Sequence, residues 1–599
     1  MFPPNACRGE RCGVWGRIAP IKPVRPHKFR PPEIAKCLYL GEINDSQKKQ
    51  WIRAIEVFDE DVGGSEQMKL FAAERAMPES MPEGVRVRLK DFALHRPRQW
   101  GGCWLFREVW SELGLDEFWR ERLGISREGT DWEHVLEVLS CYRLLDPGSE
   151  WRLHRSWFDQ SAMGDLLGED FSVAAKDTLY RCLDRLLDHK EELFGFLRQR
   201  WSDLFGVKFE VLLYDLTSTY FESDPQENEA DMRRFGYSRD KRGDCVQIVI
   251  ALVVTPEGFP LAYEVMPGNT ADKTTLRGFL EKIETLHGKA QRIWVMDRGI
   301  PTEEVLAEMR QSDPPVHYLV GTPKGRLSKL EAELAERPWE TVREGVSVKL
   351  LPQEGELYVF ARSRDRVHKE RSMRQRQLKA LWKRLQQLHE MELSHRELLL
   401  KLGEARGKYR AAWRLIEMEM EMPEDKGSVK KKAGFAFGLN RKKLREIRRR
   451  EGRYLLRSNL CEHDPALLWK MYMLLAQIEE AFKNLKGDLA VRPIFHQDED
   501  RIEAHILVAF LAYGLHATLR HKLRLKAPGL TPRSLLEQLC AIQMLDVHFP
   551  TTDGRTLVFQ RYTAPNKLQK LLLAQLDLEL PLQSPPRITS KRNLEPLGP

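Results

Sequence analysis

Two apolar runs that each stop on an aspartate constrain this chain more than any other feature. VLLYD ends at Asp215 and IWVMD ends at Asp297. Short runs of aliphatic and aromatic residues bounded by polar turns predict buried strands. A carboxylate closing such a run is hard to explain as core filler, because a buried Asp without a partner is costly. Strand ends of an open α/β sheet are where ligands bind. The surrounding pattern extends the sheet. KFEVLLYDLTSTYF reads as a strand running into a polar turn. CVQIVIALVVTPEGFPLAYEVMP reads as two strands joined by a hairpin at Thr255, Pro256, Glu257 and Gly258. TTLRGFLEKIETL and PTEEVLAEMRQS have helical spacing, and HYLVGTP is a further strand. Hairpin strands feeding into strand–helix alternation predict an α/β fold with a mixed sheet.

A length of 599 residues predicts about four domain-sized units. Hydrophobic residues make up 42%, which excludes global disorder. The net charge of +8 is small for this length, so an anionic partner must be met by local basic patches. The nine cysteines include no CxxC pair, which points to a reduced intracellular compartment. The apolar stretch 506–515, bracketed by His505 and His516, is too short for a membrane span and predicts a buried helix. The expectation is a soluble cytoplasmic protein with no membrane partner.

Composition shifts divide the chain. Residues 1–44 predict a flexible basic arm; the first 37 hold seven prolines and eight Lys/Arg against two Glu. Residues 45–205 predict a helical region that contacts DNA through Arg152 and Arg155, which follow a Pro-Gly break; an ordinary helical hairpin fits as well. Residues 206–325 hold the first part of the core. Residues 326–460 form a strand-plus-helix insertion domain with a basic segment. Between Lys430 and Arg450 stand ten Lys/Arg and one Glu. Such a density favours a phosphate-binding surface, with Lys430, Lys431, Lys432, Arg441, Lys442 and Lys443 as candidate contacts. Residues 461–580 complete the core with helices, and 581–599 form a disordered tail.

A third carboxylate, Glu479, lies in the helical run MYMLLAQIEEAFKNLKGDLAVRPIFH. Tyr472, Glu479 and Lys486 are each seven apart, so a continuous helix presents them on one face. A salt-bridged amphipathic helix has the same spacing. Two strand-end carboxylates and one helix carboxylate suit a hard divalent cation such as Mg²⁺, which takes oxygen ligands and substrate phosphate. Two such ions support an in-line phosphoryl displacement.

LLYDLTSTYF, PLAYEVMPGNTADKTTL, WVMDRG, GRYLLRSNL and the Glu479 segment together resemble bacterial insertion-sequence transposases of the DDE class, closest to insertion sequence family four. The resemblance covers about 200–520. It implies an RNase H-like core interrupted by a large insertion. Asp215, Asp297 and Glu479 match its catalytic, metal-binding triad, 82 and 182 residues apart. Tyr472 and Lys486 match its DNA-contacting Tyr and Lys. The family Arg is replaced here by Leu475. Gly268, Asn269 and Asp272 match a structural turn. The resemblance further implies Mg²⁺, with Mn²⁺ as a substitute, double-stranded DNA as partner, and a homodimer in the synaptic complex at the bacterial nucleoid. Cleavage would free 3′-OH ends for joining to target DNA. Two alternatives remain at this stage: a decayed protein that only binds element ends, and a nuclease of the same fold without strand transfer.

Overall fold

The computed structural model describes residues 55–59, 64–68 and 86–588, apart from 224–230, 241, 298, 323–329, 331–332, 335, 421–434, 461–463 and 493. The basic arm, residues 589–599 and Lys430, Lys431 and Lys432 lie outside the described residues. The start of the expected disordered tail is ordered: Gln583 bonds to Tyr562, and Arg587–Ile588 pairs with the strand Thr556–Tyr562.

The two runs that end on Asp are strands. β1 is Val211–Tyr220, β2 Gln247–Val254, β3 Pro260–Pro267, β4 Ile293–Met296 and β5 His317–Gly321. They lie side by side in the order β3-β2-β1-β4-β5. β2 is buried at every position, and its Val/Ile/Leu run satisfies a strand covered on both faces. β1–β2 and β2–β3 pair antiparallel, whereas β4 runs parallel to both β1 and β5. The β2–β3 hairpin closes as its turn residues predict: Gly258 has φ +97 and its N–H donates to the Thr255 carbonyl at 2.9 Å.

The sheet does not stop at β5. β6 (Glu340–Arg343), β7 (Val346–Gln353) and β8 (Glu356–Ser363) form a meander. β9 (Ile416–Met420) and β10 (Phe435–Leu439) pair as a separate hairpin. β11 (Arg453–Ser458) then joins β8 to β5, giving nine strands in one sheet. The segment 326–460, expected as an insertion, thus extends the core sheet. Its strands belong to the main sheet, because β5 would otherwise expose an unpaired edge. Only the helices and the β9–β10 hairpin form a satellite with its own core, built on Leu381, Leu385, Leu398, Leu402 and Phe435.

The helices that position the site are α1 (Trp132–Leu145), α2 (Lys190–Phe205), α3 (Leu276–His287), α4 (Arg364–Glu390), α5 (His395–Lys408), α6 (Arg441–Arg450), α7 (Pro465–Met473), α8 (Leu475–Lys486) and α9 (Glu499–Lys526). α9 contains the predicted apolar stretch. It is long and apolar enough to cross a membrane, but 94% of its apolar window is buried inside the protein. It packs against α1, and Phe510 meets the rings of Phe194 on α2 and Tyr263 on β3 at 5.1 and 5.2 Å. Each such fully buried ring contributes about 1.5–3 kcal/mol of apolar burial.

Among the described residues of the region 45–205, expected to be helical, only 101–205 are built of helices. Strands occupy Ile55–Asp59, Gly64–Met68, Arg86–Arg88 and Ala93–Gln99. Near the C-terminus β12 (Gln543–Pro550) and β13 (Thr556–Tyr562) replace expected helix, and β12 pairs with Ala93–Gln99. Arg98, buried at that junction, donates to Asp546 at 2.8 Å. A short apolar run suits strand or helix equally; here the pairing partner decides.

Candidate active site

β1 and β4 run parallel, and their last matched pair is Tyr214 with Met296. Asp215 and Asp297 each come one residue later. The two expected carboxylates therefore stand on neighbouring strands, whose spacing is about 4.8 Å. Asp297 directly follows β4, but β1 runs on to Tyr220, so Asp215 is mid-strand and not at its end as expected: the polar TSTY run keeps pairing with β2. The third expected carboxylate, Glu479, sits on α8, which packs across β1 and β2. Asp297 and Glu479 are exposed, whereas Asp215 is half-buried.

Electrostatics tie the three together. Burial pushes the Asp215 carboxyl up to about 7; the Leu216 N–H and the Arg239 guanidinium pull it down, while Asp297 and Glu479 push it further up. Glu480, next along α8, turns away and pairs with Arg520 at 3.2 Å. Tyr214 anchors the strand beneath, its hydroxyl donating to Thr275 at 2.7 Å.

The common face expected for Tyr472, Glu479 and Lys486 is interrupted. Leu474 separates α7 from α8, and the Leu474 and Gln477 N–H groups donate three residues back, to Met471 and Leu474. Such tightened turns advance about 120° per residue, so the seven-residue phase is lost there. Glu479 and Lys486 share α8. Tyr472 ends α7 with its ring against Tyr454 and Trp469 at 5.9 and 6.4 Å. Leu475 is half-buried and packs on the core.

Lys486 donates to both oxygens of Asp240 at 3.1 Å, and Arg492 reaches the same carboxylate at 2.5 Å. Arg239 donates to Asp272 at 2.6 Å. Sequence reasoning missed Arg239, Asp240 and Arg492, because RDKR in a loop carries no signal separating it from a solvated charge run. The Gly268 turn is structural, as expected: a Cβ there would lie 1.9 Å from the Gln247 carbonyl oxygen.

The remaining expected DNA contacts are exposed and apart from the carboxylates in sequence. Arg152 pairs with Asp146 at 2.6 Å, and Arg155 lies over the Trp151 ring at 5.1 Å. Arg441, Lys442 and Lys443 open α6, which the Asn440 side chain caps by accepting the Lys443 N–H at 2.8 Å. No residue of α6 is buried.

A different group could hold a metal by spacing alone. Glu150, His496 and His505 are buried with ligand atoms within 4.8 Å of one another. Arg143 competes for that role: its Nη2 lies 3.5 Å from Glu150 and 3.4 Å from His505. Burial and Arg143 push His505 down to about 4, so the guanidinium carries the positive charge and the imidazole is neutral.

A mixed sheet with the core order β3-β2-β1-β4-β5, carboxylates on its neighbouring central strands and a third on a helix across β1 is consistent with an RNase H-like α/β fold. The sequence profile described as Transposase DDE domain matches residues 206–515, more than half of the chain. The chain belongs to the DDE transposase family, whose members use divalent metals. Among solved structures, the cryo-EM structure of the piggyBac transposase synaptic complex with hairpin DNA aligns at 9% identity and TM-score 0.34, over 75% of this chain and 82% of that one. The Mos1 transposase paired-end complex with left transposon end aligns at 9% identity and TM-score 0.11, over 27% and 51%. No curated protein matches in sequence. The family assignment rests on the profile.

Proposed function

We propose that the chain is an active DNA transposase that binds the ends of its element, cleaves DNA by Mg²⁺-dependent phosphoryl transfer and joins 3′-OH ends to target DNA. The observation that carries this reading is the placing of Asp215 and Asp297 one residue past the same matched pair on the neighbouring strands β1 and β4, with Glu479 on the helix that crosses β1, close enough for both acids to act on Asp215. The set fits divalent cations: a carboxyl held near 7 by burial and two neighbouring acids gains from a cation. Asp215, Asp297 and Glu479 would hold Mg²⁺, with Mn²⁺ as a substitute. When bound, such ions supply Lewis acidity at a phosphate. The chain itself orients the DNA. Lys486 and Arg492 hold a phosphate beside the carboxylates, and Tyr472 borders that strand. Arg441, Lys442 and Lys443 on α6, with Lys430, Lys431 and Lys432 before it, neutralise duplex phosphates. Arg152 and Arg155 contact DNA from the helical region. A homodimer pairs two element ends, and the work is done at the bacterial nucleoid, within the insertion sequence family four lineage.

Leu475 favours one second reading, an end-binding protein that has lost catalysis, since an apolar side chain packs where relatives have Arg. The test incubates the full chain with Mg²⁺ and a duplex carrying the flanks of its own gene, beside Glu479→Gln. Mg²⁺-dependent nicking and joining, reduced at least 100-fold in the variant with DNA affinity retained, is the expected result. Binding without any nicking by the wild type refutes the catalytic reading.

A further inference from the structure

The loop 231–245 contributes no carboxylate to the triad, yet it is built like a fixed part. Asp231 and Arg233 pair at 2.8 Å in the interior, and the Arg234 backbone exchanges hydrogen bonds with Gln247 at 3.0 and 2.9 Å. Gly236 then passes so close to β3's end that a Cβ would sit 2.0 Å from the Gly268 carbonyl oxygen. Only glycine permits that approach. So anchored, the loop delivers two consecutive charges in opposite directions. The Arg239 N–H donates to the Ser218 hydroxyl on β1 at 3.2 Å, and its guanidinium pairs with Asp272 while acting on Asp215. Asp240 turns to α8 and takes Lys486 and Arg492 together.

Lys486 needs such a partner. Its side chain is 11% exposed and borders an apolar cavity of about 20 Å³ shared with Leu252, Tyr263, Val491 and Phe510. Burial lowers its pKa, Arg492 and Arg239 lower it further, and Asp240 opposes all three. A lysine stem is flexible, and a buried ammonium without an anion is unfavourable.

We infer that Asp240 is a positioning residue: from its anchored loop it fixes Lys486 and Arg492 at one edge of the carboxylate site, so that a DNA phosphate meets two pre-set cations. The ligand's identity rests on the function proposed above; the fixing of Lys486 does not. Across Arg239, Lys486 and Arg492 against Asp240 and Asp272, one positive charge is left over for a phosphate. Setting the side chains beforehand removes the ordering cost that binding would otherwise carry.

The experiment labels the full chain with an amine-reactive N-hydroxysuccinimide ester between pH 7 and 11 and follows Lys486 by peptide mass spectrometry. The exposed Lys483 on the same helix is the internal reference. In Asp240→Asn the midpoint of Lys486 reactivity falls by about one pH unit, a tenfold faster reaction below it. Asp240→Glu restores the wild-type midpoint. Arg492→Ala leaves the loop untouched and shifts the midpoint the other way, so it decides the matter if Asp240→Asn does not fold. A Lys486 midpoint unmoved in Asp240→Asn, or in Arg492→Ala should that be the variant that folds, overturns the inference. With the gene-flank duplex, Asp240→Asn raises KM at least fivefold and leaves kcat within twofold; a lost kcat at unchanged KM refutes the phosphate role. A wild type that does not cut overturns the proposed function alone, and the labelling still decides Asp240.

Discussion

Replacing Asp215 with Asn should stabilise the protein, and by an amount that depends on pH. A carboxyl whose folded pKa lies above its unfolded value holds its proton more tightly when folded. That advantage is complete below the unfolded pKa and is lost as pH rises through the folded one. For Asp215 the interval runs from 3.8 to about 7. At 1.36 kcal/mol per unit, the ionised group disfavours the folded state by about 4 kcal/mol above pH 7, and by about 1.6 kcal/mol at pH 5. Asn keeps the acceptor for the Leu216 N–H, now 2.8 Å from Oδ1, and removes the charge. Thermal melting in EDTA at pH 8 and pH 5 reads the difference. The variant melts several degrees above wild type at pH 8, and the gap narrows at pH 5. Adding Mg²⁺ raises the wild-type midpoint and leaves the variant unmoved. A variant that melts below wild type at both pH values, or a gap equal at both, refutes the electrostatic account of the carboxylate site.

Three further outcomes follow from the same structure. Glu150→Ala leaves Arg143 buried without its carboxylate and should cost about 3–5 kcal/mol, read from the denaturant midpoint; Glu150→Gln costs less. Changing Lys442, Lys443, Arg445 and Arg449 on α6 to Gln should weaken duplex binding and lower the slope of log affinity against log salt by up to about 0.9 per lost phosphate contact, with no change in melting. Gly268→Ala forces a Cβ against the carbonyls of Gln247 and Arg234, so it should displace the loop carrying Asp240 and abolish cleavage while circular dichroism keeps the sheet signature.

The two strands were legible because a buried strand has to be apolar; after IWVM the first polar residue marks where the strand ends, but after VLLY it does not, since β1 continues through Thr217, Ser218 and Thr219, whose buried positions pair with β2. α9 was legible for a related reason, since a helix buried on all sides has to be apolar on all sides. The break at Leu474 was not, because apolar spacing continues across it and only the hydrogen bonds shift. Arg239 and Asp240 were not, because their role comes from residues distant in sequence, Ser218 and Asp215 on β1, Asp272 before α3 and Lys486 on α8, and local charge density says nothing of that. The strands of 326–460 were visible as strands, but their membership of the main sheet depends on β5 needing a neighbour, which is a property of the finished sheet.

The excursion from Ser363 to Arg453 leaves the sheet on β8 and returns on β11, and those two strands are themselves paired, with Arg362 opposite Arg453. The satellite therefore behaves as a cartridge held in a socket whose two contacts touch. Lengthening, trimming or exchanging it leaves Glu479, reached only after the socket has closed, at its station over β1. The part of the chain that can vary and the part that has to stay put are thus separated by a single strand pairing.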